Sequence, residues 1–349
     1  MKEVPALFFH LRCLDHSNGP GHPERPERLE AIRSMLAESF PEWDLYGGRD
    51  ARRDELALVH DTTYIDRLQG LREGPQRMLD PDTGFGPGSF DAALRGAGMA
   101  VDAALGLRAG KVSLPFVFPR PPGHHAEANR AMGFCLFNNV AVAARALREA
   151  YPGETVAILD YDVHHGNGTQ WAFYEDPSVL YVSLHQSPLF PGTGRVTETG
   201  AGTGKGFTVN LPMTGGKRDP DYLLGIDALV LPVVREFAPD TLIVSAGFDA
   251  HQADPLAGMG LTAEGYAAVT ERLLSFDGND TNRRLLHVLE GGYNLEALKG
   301  SVKAVIEVLA GHLDSEAPEH PRRPDAGQGS VFRELDEALS VQRNFWTSL

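Results

Sequence analysis

Cysteine is scarce in this sequence, which has only Cys13 and Cys135 among 349 residues. Two cysteines argue against a disulfide framework and favour a reducing, cytoplasmic compartment. Long hydrophobic runs are also missing, since no apolar stretch approaches the roughly 20 residues of a membrane-spanning helix. The start of the chain, Met1–Pro5, lacks the basic segment and apolar core of a secretory signal. We therefore predict neither export nor membrane insertion.

Basic residues are in the minority. Lys and Arg total 32 against 47 Asp and Glu, which gives a formal net charge of −15. Because phosphate binding requires clustered Lys and Arg, we predict no nucleic-acid partner. An acidic surface also suits cationic substrates, although net charge acts first on solubility. Composition says nothing about the oligomeric state.

Linkers are absent as well, since no Ser/Gly/Pro-rich stretch and no long block of like charges divides the chain. We therefore predict a single domain over residues 1–349, a size that α/β proteins often reach in one domain. Residues 315–330 contain prolines and read as an irregular surface segment before a C-terminal helix near Phe332–Phe345.

What is present is an alternation of short apolar runs and amphipathic segments, which predicts an α/β fold with a mostly parallel central sheet and helices on both faces. Strands are predicted at Leu7–His10, Phe116–Arg120, Val156–Tyr161, Val179–Leu184, Thr208–Leu211, Thr241–Ser245 and Leu285–Leu289. Helices are predicted at Pro26–Ala37, Phe90–Ala109, Phe137–Glu149, Tyr222–Glu236 and Ala263–Leu274. The starts of two of them are indicated by Asn138-Asn139 and by Thr262-Ala263-Glu264, where short polar side chains can cap free amides.

Polar side chains follow four of the predicted strands. The richest segment runs from Asp160 through Asp162 to His164, and alternation along an extended strand would place these three side chains on one face. The other segments carry a His124-His125 pair, Asp249 and Tyr293. Ligands bind at the carboxyl edge of a parallel sheet, and carboxylate plus imidazole suits a zinc-type site. Taken alone, the first segment also fits a helix-capping Asp followed by solvated histidines.

Together and in this order, these segments resemble the zinc-dependent deacetylase superfamily, which includes histone deacetylases, acetylpolyamine amidohydrolases and acetoin-utilisation proteins. The likeness begins at His22–Leu29, continues through Asp82-Thr83 and Pro191–Gly194, and ends at Tyr293-Asn294. Asn167 matches the class II pattern, because class I members carry Asp there. The resemblance implies an arginase–deacetylase type fold.

The resemblance also implies a metal site. Asp162, His164 and Asp249 match the family's zinc ligands, and three protein ligands with an open position are what hydrolytic zinc requires. Fe(II) could replace zinc in such a site. His165 has the opposite strand parity to His164, so we expect it to pack or hydrogen-bond rather than bind metal.

By resemblance, five residues carry the catalytic roles. His125 acts as general base and then acid, Asn167 orients it, and His124 supports the developing charge with Asp160 as its partner. Asn167 accepts a hydrogen bond but carries no charge, so we expect it to raise the pKa of His125 less than an Asp would. Tyr293 donates to the oxyanion.

Two potassium sites are implied only by the family. The first would use oxygens near Asp160, Asp162, His164, Ser183 and Leu184. The second would use main-chain oxygens around Phe173, Asp176, Val179 and Phe207, where Phe207 replaces a Tyr found in many relatives.

The implied substrate slot is a narrow apolar tunnel. Gly133, Phe134 and Phe190 match its walls, Leu256 stands at its mouth, and Asp82 is a candidate rim contact to the substrate amide or amine. We expect hydrolysis of an N-acetyl amide on a lysine side chain, in a peptide or protein, or on a similar small amine. One alternative is an acetylpolyamine or other small-amide hydrolase. Another is a catalytically silent binding or regulatory homologue.

Overall fold

The computed structural model describes residues 3–275, 284–314 and 332–349. The segment 315–330, predicted to be irregular, lies outside them. The strands are β1 (Leu7–Phe8), β2 (Leu45–Tyr46), β3 (Arg77–Met78), β4 (Gly84–Phe85), β5 (Phe116–Val117), β6 (Val156–Asp160), β7 (Val179–Gln186), β8 (Thr208–Met213), β9 (Thr241–Ala246) and β10 (Leu285–Leu289). Eight of them form one parallel sheet in the order β2-β1-β5-β10-β9-β6-β7-β8, and β3 pairs with β4 in a separate antiparallel hairpin.

Helices surround this sheet. They are α1 (Glu27–Ser39), α2 (Arg53–Leu56), α3 (Thr62–Gly70), α4 (Ser89–Arg108), α5 (Asn139–Ala150), α6 (Asn167–Ala172), α7 (Asp219–Gly225), α8 (Leu231–Phe237), α9 (Ala263–Leu274), α10 (Leu295–Asp314) and α11 (Arg333–Gln342). The predicted α/β class with a mostly parallel sheet is confirmed. None of the helices in the described residues is long and apolar enough to cross a membrane.

Several predicted boundaries change. The helix expected at Tyr222–Glu236 is α7 and α8 joined by a π-helical segment, Ile226–Val230. This segment ends two residues before Pro232, which has no amide hydrogen to continue the α-helical pattern. Strands β1 and β5 end earlier than predicted. Helices α2, α3, α6 and α10, strand β2 and the β3–β4 hairpin were not predicted. The expected caps are confirmed, since Asn138 accepts from the Ala141 amide and Thr262 from the Gly265 amide.

The order of the strands determines where the site lies. β5, β10, β9 and β6 are consecutive neighbours, and every residue of these four strands is buried. A strand that is covered on both faces is largely apolar, so most polar side chains appear near the strand ends, with the buried His287 in β10 as an exception. The segments that follow these four strands therefore meet at one carboxyl edge.

Candidate active site

Three side chains converge in a manner that fits a metal ion. One ligand atom each from Asp162, His164 and Asp249 lies within 4.8 Å of the others. Nδ1 of His164 is 3.2 Å from an Asp162 oxygen and 3.1 Å from an Asp249 oxygen. A ring nitrogen carries at most one proton, so it cannot donate fully to both carboxylates. This donor set of one nitrogen and two carboxylates suits a divalent cation such as zinc.

The path of the chain into this site differs from the prediction. Strand β6 ends at Asp160, and the backbone bends at residues 162–164, the stretch that carries Asp162 and His164. The expected strand alternation through His164 is therefore wrong. Asp162 and His164 converge through a turn in which the Asp162 carboxylate accepts the His164 amide at 2.9 Å.

Backbone amides from neighbouring loops fix the two carboxylates. The Val163 amide donates to Asp249 at 2.9 Å, and the Gly291 amide donates to Asp162 at 2.8 Å. A Cβ on Gly291 would lie 2.1 Å from an Asp249 oxygen. Only glycine permits this approach, which explains the first glycine after β10.

The electrostatics of these groups also favour a cation. Burial and the Asp162 charge raise the pKa of Asp249 to about 7. Burial acts against ionisation of His164, but its hydrogen bonds to Asp162 and Asp249 raise its pKa to about 10. Burial likewise opposes the charge on Asp162, yet His124 and His164 hold its pKa below the usual value. The two carboxylates thus require positive charge between them.

The imidazole pair lies beside the candidate metal site. Nδ1 of His124 is 3.0 Å from the Asp160 carboxylate, and the His124 and His125 rings are 4.0 Å apart. Although burial opposes it, Asp160 and Asp162 raise the pKa of His124 to about 10. Burial, His124 and His164 hold the pKa of His125 well below its usual range. These surroundings thus favour the charged form of His124 and the neutral form of His125.

The tautomer of His125 follows from its neighbours. Nδ1 of His125 is 2.8 Å from Oδ1 of Asn167, and Nδ2 of Asn167 donates to Glu127 at 2.7 Å. The Glu127 contact assigns the amide nitrogen of Asn167, so its oxygen faces His125 and accepts the Nδ1 proton. Nε2 of His125 is then left as an unprotonated acceptor. Glu127 had no predicted role.

Asp160 has a second partner that the sequence did not suggest. The phenol of Tyr181 lies 3.2 Å from the same carboxylate oxygen that binds His124, and 3.1 Å from the Gly166 carbonyl oxygen.

His165, expected to be structural, lies with Nδ1 2.7 Å from Thr193 and Nε2 3.0 Å from Gln170. It does not join the metal ligands.

Tyr293 is fixed through its backbone and its ring. Its amide donates to the Asp254 carboxylate at 2.7 Å, and the Arg28 guanidinium lies 5.0 Å from the centre of its ring. Burial raises the pKa of Tyr293 well above its usual value, so the phenol remains a proton donor at neutral pH. Its ring also meets Phe134 edge to face at 5.7 Å.

The two predicted tunnel walls flank the catalytic groups. Phe134 contacts Tyr293, whereas the ring of Phe190 lies 5.1 Å from that of His125. Phe190 is 39% exposed, which places it at the surface end of the site. Gly133 has φ +56, and a Cβ there would lie 2.3 Å from the His125 ring. A side chain at this position would therefore displace the general-base candidate.

The two rim candidates are only partly buried. Asp82 is half-buried, and its carbonyl oxygen is 3.1 Å from His22, whose ring meets Phe134 at 4.5 Å. Burial and the neighbouring Asp80 carboxylate raise the pKa of Asp82 to about 6. Leu256 is half-buried in the loop after β9 and donates its amide to Asp254 at 3.0 Å.

The predicted potassium-site residues occupy two regions. Ser183 pairs with Asp160 in the β6–β7 register, and its hydroxyl lies 2.9 Å from His185. In the second region the Asp176 amide donates to the Phe173 carbonyl, and the Phe207 carbonyl accepts from Tyr181. Cation binding at either place stays a prediction.

Beneath the site lies a buried ionic network that sequence reasoning missed. Arg28 donates to the carbonyl oxygens of Glu290 and Gly292 at 2.6 Å each, and its guanidinium also binds Glu24, as does that of Arg120. Arg28, Glu24 and Arg120 are fully buried. The sequence feature that could have indicated this network is the high density of charged residues in the His22–Leu29 segment.

Glu290 is a second missed residue. Its side chain is fully buried, and one carboxylate oxygen accepts the amides of Gly123 at 2.6 Å and His124 at 3.1 Å. Its other oxygen accepts from the Ser245 hydroxyl at 3.2 Å. Burial raises the pKa of Glu290 to about 7. This carboxyl group ties the end of β10 to the turn that carries the histidine pair.

Comparison with known proteins agrees with this geometry. Residues 22–309 match the family model described as a histone deacetylase domain. Histone deacetylase 15 of Arabidopsis thaliana is 40% identical over 99% of this chain, which spans 63% of that protein's length. A probable deacetylase of Archaeoglobus fulgidus is 36% identical, over 98% of this chain and 99% of that protein.

A solved structure is similar as well. The crystal structure of the HDA15 HD domain superposes with a TM-score of 0.90 at 38% identity, covering 99% of this chain and 96% of that one. The match of the family model over most of the sequence and these two relatives at 36% identity or more establish the relationship. This chain therefore belongs to the histone deacetylase family.

Proposed function

We propose that this protein is a zinc-dependent deacetylase that hydrolyses the N-acetyl amide of a lysine side chain, or of a similar amine, and releases acetate. The observation that carries the proposal is the convergence of Asp162, His164 and Asp249 beside a neutral imidazole and a protonated phenol. Metal ligands, a base and an oxyanion donor are the parts that amide hydrolysis requires.

Asp162, His164 and Asp249 would hold the metal. When bound, zinc supplies a Lewis acid that polarises a carbonyl oxygen and lowers the pKa of a water molecule. The crowding of two buried carboxylates around Nδ1 of His164 supports this assignment. Potassium at the two family sites remains part of the proposal by resemblance alone.

The chain's own groups move the protons. Nε2 of His125 accepts a proton from the attacking water as the new C–O bond forms. It is free to do so because Nδ1 of the same ring keeps its own proton, which it donates in a hydrogen bond to the amide oxygen of Asn167. As the C–N bond breaks, the same nitrogen returns a proton to the departing amine. The charged His124, held by Asp160, stabilises negative charge that develops beside it. Tyr293 donates its phenol hydrogen to the carbonyl oxygen.

The aromatic pair defines the shape of the substrate. Phe134 beside Tyr293 and Phe190 beside His125 leave an apolar approach that suits the methylenes of an acyl-lysine or acyl-amine chain. We propose that the physiological partner is such an acetylated molecule. A cytoplasmic location, a single domain and the absence of a nucleic-acid partner remain predictions from composition.

The test combines metal analysis with turnover. Purified protein should contain about one equivalent of metal. It should release acetate from an acetyl-lysine peptide, lose this activity on chelation, and regain it with added zinc. A surface variant, Asp66→Ala, removes an exposed carboxylate that pairs with Arg53 and serves as the control. Stoichiometric metal without turnover of any acetylated amine would favour a binding or regulatory role.

One observation favours acetylated polyamines as a second candidate substrate class. The adjacent carboxylates of Asp80 and Asp82 lie near the rim, where a cationic amine would relieve their repulsion.

Leu256, in contrast, offers no charge at the proposed mouth. We expect wild type to prefer acetyl-lysine peptides and Leu256→Glu to shift kcat/KM towards acetylspermidine, because a carboxylate can pair with a secondary ammonium. An unchanged ratio would shift the selection to Asp82.

A further inference from the structure

A single carboxylate connects the mouth of the site to the catalytic phenol. Asp254 is 7% exposed, and one of its oxygens accepts the amides of Tyr293 at 2.7 Å and Asn294 at 3.3 Å. The other oxygen accepts the Leu256 amide at 3.0 Å. Three backbone amides from two separate loops thus converge on one side chain.

The loop on the Leu256 side is held at its far end as well. The Gly258 amide donates to the side chain of Gln186 at 2.8 Å, and the Gly258 carbonyl accepts the Gly216 amide at 2.6 Å. The short loop around Leu256 is therefore held by hydrogen bonds at both ends, to Asp254 at one end and to Gln186 and Gly216 at the other.

On the phenol side, the two glycines before Tyr293 are held by side chains, since the Gly291 amide donates to Asp162 and the Gly292 carbonyl accepts from Arg28. Tyr293 follows them directly. Arg28 and Phe134 pack on its ring but do not bind its amide. Asp254 is the side chain that binds that amide.

We propose that Asp254 is a positioning residue that holds Tyr293 in its catalytic orientation and couples it to the substrate-contacting loop around Leu256. The inference rests on the proposed deacetylase function. Its consequence is that contacts made by a long substrate at the mouth act on the rate constant as well as on affinity.

The main test is a double-mutant cycle in the full-length metal-loaded protein. Asp254→Ala should lower kcat by about 10- to 100-fold, the range for a misplaced catalytic group. In a Tyr293→Phe background the same change should cost less than about twofold, because residues that act through one another are not additive. Equal losses in both backgrounds would overturn the proposal, as would a wild-type kcat in Asp254→Ala.

Asp254→Asn provides the conservative comparison. Its one amide oxygen should face the two amides of Tyr293 and Asn294, which leaves its NH₂ group against the Leu256 amide. We expect kcat close to wild type but a KM for an acetyl-lysine peptide raised several-fold, whereas the KM of a small acetyl-lysine amide stays unchanged. A variant that behaves like Asp254→Ala in both parameters would contradict the division of roles between the two oxygens.

Asp219→Ala is the matched control. Its carboxylate accepts the amide and hydroxyl of Thr262 at 2.9 and 2.7 Å just beyond the same loop, without touching Tyr293. Its kcat should remain within about twofold of wild type, the scatter of independent sites.

Hydrogen exchange separates this inference from the proposed function. The amides of Tyr293, Asn294 and Leu256 should exchange faster in Asp254→Ala than in wild type. Their exchange rates should be unchanged in Asp219→Ala. Both results are expected whether or not the protein turns over substrate. Unchanged exchange at these three amides would overturn the inference, whereas an inactive wild type with the expected exchange would overturn only the proposed function.

Discussion

Replacing Glu290 tests how the histidine pair is held in place. Its carboxylate is fully buried, and a single oxygen accepts both the Gly123 and His124 amides. Leucine is similar in size but accepts no hydrogen bonds, so Glu290→Leu leaves two buried amides unsatisfied. Each such group costs about 1–3 kcal/mol, and for the two together we expect the free energy of unfolding to fall by about 2–6 kcal/mol.

Glu290→Gln is the matched control. Because both amides share one oxygen, the single amide oxygen of Gln can accept both of them. We therefore expect Glu290→Gln to remain within about 1 kcal/mol of wild type. This comparison separates the hydrogen bonds from the size of the side chain.

Two measurements decide the question. Urea unfolding gives the free-energy differences, and kcat is measured at a temperature where all variants are folded. Glu290→Leu should also lower kcat, because the turn that carries His124 and His125 loses its link to β10. Wild-type stability in Glu290→Leu, or equal losses in Leu and Gln, would refute the reasoning.

The remaining predictions concern protons and metal. Tyr293→Phe should keep metal and fold but lose about 10²-fold or more in kcat, the usual loss for one oxyanion donor; near-full activity would remove its role. Asp249→Ala should lose metal and activity together, whereas His125→Ala should keep metal and lose only turnover, as metal analysis would show. His287 is fully buried, its ring nitrogens have no hydrogen-bond partner among the described residues, and burial lowers its pKa to about 3. Because only the unfolded chain is then protonated below about pH 6.5, wild type should lose about 2 kcal/mol at pH 5 through this group, a loss that His287→Leu removes. His60→Leu should destabilise most at neutral pH, since the Asn138 amide loses its acceptor, and this loss should shrink towards pH 5, because burial lowers the pKa of His60 to about 4 and the variant lacks a group that only the unfolded chain protonates. Thermal denaturation at pH 7 and pH 5 measures both variants, and a His60→Leu loss that grows on acidification would contradict the sign.

The framework of the fold could be predicted because its signal is local. Buried parallel strands are apolar along their length, and the seven predicted strands all correspond to strands of the eight-stranded sheet. Their ends were less well predicted, since the residue at which pairing stops depends on the neighbouring strand. The eighth strand, Leu45–Tyr46, is exposed and only two residues long, so it has no apolar pattern to detect.

Helix α10 is a different kind of omission. Leu298, Val302, Val305 and Leu309 recur at helical spacing and are buried, so the signal was present in the sequence. The helix begins directly after Tyr293-Asn294. That motif was interpreted for its catalytic tyrosine, and the apolar pattern of the residues that follow it was overlooked.

Partners that join distant parts of the chain could not be predicted from spacing. Arg28 binds the Gly292 carbonyl 264 residues away, and Glu290 binds the Gly123 amide 167 residues away. Such contacts depend on which strand ends are neighbours in the sheet, and the order β5-β10-β9-β6 is set by tertiary packing. A residue whose role is to accept backbone amides also leaves no mark in the sequence, because every residue except proline provides such an amide.

The metal-site prediction identified its residues through an incorrect local geometry. Alternation along an extended strand would have placed Asp160 beside Asp162 and His164, yet β6 ends at Asp160 and its carboxylate binds His124 instead. The bend after Asp160 divides one acidic segment between two tasks, since Asp160 faces the histidine pair while Asp162 and His164 meet Asp249. A straight strand would have put all three groups in one place and left His124 without its carboxylate. The division follows from where pairing with β7 and β9 stops, and both strands pair with β6 as far as Asp160.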